Sequence, residues 1–139
     1  MKKTGILKAM KLCRDYERMG VKEREKLRSS RLNALVEWAR KNSPYYSELY
    51  KDLPENYTLS DLPRVNKREL MEHWDAWVTD RELTLAETER FMEDTDNIGR
   101  KLKKKYMVYT TSGSTGNPLV AVYDDTANNI MGGISACRS

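Results

Sequence analysis

Apolar positions recur at helical spacing through most of residues 1–94. Ile6, Met10, Cys13 and Tyr16, separated by four, three and three residues, predict a helix over 5–19 with Gly20 ending it. Lys8, Lys11, Arg14 and Arg18 fall on its other side, which suits a surface helix packing one stripe, and also a helix facing a membrane surface or a partner. A longer helix is predicted over 22–41 from the stripe Leu32, Leu35, Val36 and Ala39, with Arg40 and Lys41 favouring its C-terminal dipole. Ser43 followed by Pro44 has the form of an N-cap and first helical residue, opening a short helix through Tyr50 with an aromatic face of Tyr45, Tyr46 and Tyr50. These rings either pack as core with satisfied hydroxyls or form a stacking platform for a ligand. Residues 58–63 predict a turn. Asn66 with Glu69, and Thr84 with Glu87, carry capping-box spacing. They open helices to about Asp75, burying Leu70, Met71 and Trp74, and to about Glu93, with Leu85, Thr88, Phe91 and Met92 inward.

Beyond Glu93 the period changes. Asp96-Asn97-Ile98-Gly99 predicts a turn, and residues 106–109 and 120–123, rich in Tyr and Val, predict the strands of a hairpin. Asp124 or Asp125 then caps a helix over 126–131, with Gly132-Gly133 an unusual pair to follow. The expected fold is mostly α-helical, about five helices, with a C-terminal β-hairpin. The 139 residues are expected to form one partial domain, helical over 1–94, hairpin over 106–124 and the start of a helix over 125–139.

Composition changes this picture little, whereas the distribution of charge adds to it. The net charge of +4 divides into +8 for residues 1–42, −7 for 43–100 and +3 for the remainder. Opposed blocks suggest segments that pack on each other or on a partner; the acidic middle counts against a nucleic-acid surface. Lysines and arginines interrupt every apolar run near the N-terminus, so no signal peptide or membrane span can be drawn. Cys13 and Cys137 lie at opposite ends of the sequence with no metal-ligand or disulfide-framework spacing, which fits a reducing cytoplasm. The single His73 has no partner at ligand or nucleophile spacing.

Candidate chemistry gathers between the two strands, in Thr110-Thr111-Ser112-Gly113-Ser114-Thr115-Gly116-Asn117-Pro118. Glycine leaves no Cβ in the way and permits φ > 0, so successive N–H groups can turn toward one anion while Ser and Thr hydroxyls add donors. Two residues separate Gly113 from Gly116, and Asn117 follows, which excludes the Walker pattern. Pro118 and the apolar run beyond it exclude a dinucleotide fingerprint opening a helix. A phosphate cradle and an ordinary hydroxyl-rich turn both remain. The basic run Lys101, Lys103, Lys104 and Lys105 is either a solvated loop or a source of attraction for a triphosphate.

Residues Thr111 to Pro118 resemble, position by position, the nucleotide loop of the adenylate-forming superfamily, Tyr/Thr-Ser-Gly-Ser/Thr-Thr-Gly-x-Pro, which binds the phosphates of ATP. Many members carry lysine after the proline; Leu119 stands here, which looks more like the phenylacetate-CoA ligase branch, where that lysine is often missing. The words Ala39-Arg40-Lys41-Asn42-Ser43-Pro44-Tyr45-Tyr46 and Leu59-Ser60-Asp61-Leu62-Pro63 are similar to the amino-terminal scaffold of that branch, including members linked to capsular polysaccharide synthesis. The resemblance implies an α/β fold for the whole enzyme, and activation of a carboxylic acid with ATP and Mg as an acyl-adenylate, followed by transfer to coenzyme A. It implies phosphate binding by Thr111, Ser112, Gly113, Ser114, Thr115 and Gly116 and assigns no catalytic or metal-binding residue. The family's downstream motifs lie outside these 139 residues, so the fragment alone is expected to be inactive. A second class of function is a helical interaction module that self-associates or binds a partner through exposed apolar surface.

Overall fold

A computed structural model describes residues 4–111 and 118–138. In chain order these form α1 (Ile6–Arg18), α2 (Val21–Asn42), α3 (Pro44–Leu49), α4 (Lys67–Glu72), α5 (Trp74–Trp77), α6 (Leu85–Glu93), β1 (Met107–Thr110), β2 (Val120–Tyr123) and α7 (Asp125–Arg138). Single 3-10 turns occupy Leu59–Asp61 and Thr95–Asn97. The described chain is thus mostly helical with one antiparallel hairpin, as expected. His73 divides the helix predicted from Asn66 to about Asp75 into two, and the C-terminal helix, predicted over 126–131, runs on through Gly132 and Gly133. The residues fall into two compact units, 1–24 with 90–139, and 25–89.

The first unit is built on α1 and α7. Thr4 accepts from Asn129 Nδ2 at 3.1 Å, Ile6 lies over Gly132 and Ala9 over Gly133, so the two helices run parallel. A Cβ on Gly133 would fall 2.5 Å from Ala9 Cβ and 3.0 Å from Ile6 O, a separation that no side chain permits. Gly133 is therefore what lets α1 approach. Ala9, not Ile6, is the buried residue of α1; Ile6 stays half exposed because it rides over the small surface of Gly132. The first helix ends on extended Met19 (φ −67°, ψ 147°), and Gly20, instead of capping it in the left-handed region, accepts from Arg24 N in the first turn of α2. Leu102, Tyr106, Val120 and Thr126 are buried in the same unit. Leu102 and Tyr106 form a bridge across a tight turn in which Lys103 and Lys104 take φ of 50° and 57°. Left-handed backbone disfavours residues with a Cβ.

In the second unit Trp74, Leu83, Thr88, Val36 and Ala39 are buried. Ser43 caps α3 as its sequence predicts, accepting from Tyr46 N at 3.2 Å, and its hydroxyl also donates to Ala76 O at 3.1 Å. One buried side chain thus joins α3 to α5. Asn66 Oδ1 accepts from Glu69 N at 3.0 Å and Thr84 Oγ1 from Glu87 N at 3.2 Å, so both predicted caps form. Thr88 turns inward while Met92, predicted inward, is exposed, because α6 buries a narrower stripe than the sequence suggests. Tyr46 and Tyr50 stack at 5.1 Å, and Tyr45 meets Tyr46 edge-on at 5.4 Å. The Tyr45 hydroxyl donates to Glu69, and burial, followed by that carboxylate, pushes the phenol well above its ordinary range. The rings pack on one another with this hydroxyl satisfied.

Candidate functional site

The hairpin pairs Met107 with Tyr123, Val108 with Val122, Tyr109 with Ala121 and Thr110 with Val120. Side chains alternate across a strand, so Val108, Thr110, Val120 and Val122 share one face, and Tyr109 and Tyr123 the other. Val120 buries the first face. On the second, the rings of Tyr109 and Tyr123 lie 5.2 Å apart, a diagonal contact that stiffens a two-stranded ribbon.

Beyond the last strand pair, Thr111 N donates to Leu119 O at 3.1 Å, and Leu119 N donates back to Thr111 Oγ1 at 3.0 Å. Thr111 therefore uses main chain and side chain together to close the neck of the connecting segment. Ser112, Gly113, Ser114, Thr115 and Gly116, the other predicted phosphate-binding residues, lie outside the described residues. Thr111 itself is exposed at the neck; its hydroxyl, expected as a phosphate donor, serves as acceptor for Leu119, with one O–H proton remaining to donate.

The base of the hairpin is fixed to the helix that follows. Asp124 Oδ1 accepts from Ala127 N at 2.8 Å, capping α7. Asn128, one turn on, accepts from the Tyr109 hydroxyl at 2.8 Å and donates to the carbonyls of Tyr123 and Asp124 at 3.3 and 3.1 Å. Its amide spans three elements of the stem. Sequence reasoning missed Asn128, whose only signal is its position one turn beyond a capping aspartate. The basic run is partly committed within the unit: Lys101 pairs with Asp125, and Lys105 Nζ sits 4.7 Å above the Tyr106 ring. These contacts give Lys101 and Lys105 partners within the unit.

His73 ends α4 and begins α5, with its ring 5.7 Å from that of Tyr45. No helix among the described residues is long and apolar enough to cross a membrane. Comparison with protein-family models, with curated proteins and with solved structures gave no match.

Proposed function

We propose that the chain supplies the nucleotide-phosphate loop of an adenylate-forming ligase, in which a carboxylate oxygen attacks the α-phosphorus of ATP with loss of pyrophosphate, and the acyl group of the resulting acyl-adenylate passes to the thiol of coenzyme A with release of AMP. The observation that carries the reading is the hairpin neck. Paired strands end on reciprocal Thr111 and Leu119 hydrogen bonds, and the hydroxyl- and glycine-rich segment 112–118 joins these two residues in the sequence. A short segment with fixed ends loses less freedom when its donors are ordered around an anion.

The donor set suits a polyphosphate: N–H groups of 112–116 with the hydroxyls of Ser112, Ser114 and Thr115 would hold the β and γ phosphates, and Thr111 would position the loop. Residues 106–123 contain no Asp or Glu, so this segment repels no phosphate and offers no carboxylate to Mg; the cation would be held here through the nucleotide's own oxygens. No residue of the chain is assigned as acid, base or nucleophile.

Amide NMR during titration with Mg-ATP tests the reading. Shifts concentrated at Gly113 and Gly116, lost in Gly113→Val, are expected. Glycine amides that do not move at millimolar nucleotide would remove its basis.

A second reading, a helical interaction module, is favoured by a different observation. Leu35 and Leu59, 63% and 64% exposed, line one groove of about 570 Å³ in the second unit, together with Leu32 and Tyr57. Two large aliphatic side chains this exposed on one concave surface suit coverage by another chain.

A further inference from the structure

The parallel packing of α1 on α7 has a chemical consequence outside the hairpin. The close contact of Ala9 with Gly133 repeats one turn further along both helices, at Cys13 and Cys137, and Glu17 follows Cys13 by four residues on the same face of α1. The two thiol sulfurs and a Glu17 carboxylate oxygen all lie within 4.8 Å of one another. Two residues 124 positions apart, which sequence spacing gave no reason to associate, are neighbours because glycine lets the helices meet.

We propose that Cys13, Cys137 and Glu17 form a binding site for a thiophilic divalent cation of the zinc class, with water completing a tetrahedron. Zinc–sulfur bonds of about 2.3 Å place tetrahedral ligand atoms roughly 3.8 Å apart, so the three donors need to draw together by about an ångström at most. Half-buried thiols and an exposed carboxylate leave an open side for solvent. Two soft sulfurs with one oxygen select zinc, cadmium or cobalt over magnesium or calcium. The third donor separates this site from a simple thiol pair poised for a disulfide, which would use no carboxylate.

The Cys13 thiol is pushed up by its hydrogen bond to Cys137, then by desolvation and by the Cys137 and Glu17 charges, with Arg138 opposing. A divalent ion reverses that balance: each thiol gives up its proton, two sulfur–metal bonds form, and two protons pass to solvent with no change of oxidation state.

Cobalt titration of the phosphine-reduced full chain tests the site. One Co²⁺ per chain, an intense sulfur-to-cobalt charge-transfer band, release of about two protons and displacement by Zn²⁺ are expected. Cys13→Ser and Cys137→Ser, each checked for unchanged helical circular dichroism, should each weaken the band and lower affinity at least tenfold. Glu17→Gln should keep the band and weaken binding about tenfold. Absence of the band, a band indifferent to Cys137→Ser, one cobalt per two chains, or unchanged affinity in Glu17→Gln would each overturn the three-donor site.

Discussion

Thr111 shows how one residue serves two ends. Its sequence context marks it as a phosphate donor, while its hydroxyl oxygen accepts the Leu119 N–H that closes the hairpin neck. A neutral hydrogen bond of this kind contributes about 1 kcal/mol net, a factor of roughly five in a local opening equilibrium. Thr111→Val keeps the β-branched shape and removes the acceptor, so the Leu119 amide should exchange with solvent about fivefold faster. Thr111→Ser keeps the acceptor and should leave the rate near that of the parent protein. Equal exchange in all three would mean that the neck is held by the strands alone.

Among the elements, those governed by local signals were legible in the sequence. Ser43, Asn66 and Thr84 each accept from the residue three positions on, because cap geometry involves only neighbours in the chain. Both strands likewise lie within a residue of their predicted bounds. What failed depended on distant contacts. Helical periodicity put Ile6 on the packing stripe of α1, where it does lie over Gly132, but it did not single out Ala9, the residue buried there because the facing surface on α7 is Gly133 and admits only a small side chain. The candidate site was legible as a motif and as a hairpin, whereas its anchor Asn128 and the meeting of Cys13 with Cys137 were not. The two glycines of α7 make this testable. A methyl on Gly132 meets only the mobile end of Ile6 at 3.3 Å, so Gly132→Ala should gain up to about 1 kcal/mol of helix propensity. A methyl on Gly133 collides with Ala9 Cβ and with α1 backbone, and Gly133→Ala should cost about 1–3 kcal/mol. Ala9→Gly in the same chain should recover part of that loss. Urea denaturation of the single and double variants decides it; equal effects at 132 and 133 would contradict the parallel packing.

For the whole molecule, charge and apolar exposure bear on association. The sequence blocks of +8 and −7 do not coincide with the compact units: residues 1–24 with 90–139 hold fifteen Lys/Arg against eight Asp/Glu, a net of +7, and 25–89 hold ten against thirteen, a net of −3. The basic half of α2 falls in the second unit and neutralises most of its acidity. A nearly balanced surface offers little like-charge repulsion to a second copy, and the groove beside α2 presents Leu35 and Leu59 between Glu25, Arg28, Arg31 and Glu55. If a second copy covers that groove, sedimentation velocity should show a concentration-dependent rise in mass that persists at high salt, because apolar contact carries it. Leu35→Glu with Leu59→Glu should return the chain to monomer with its circular dichroism intact. A monomer at every concentration would exclude self-association through the groove; an oligomer insensitive to both substitutions would place the contact elsewhere on the chain.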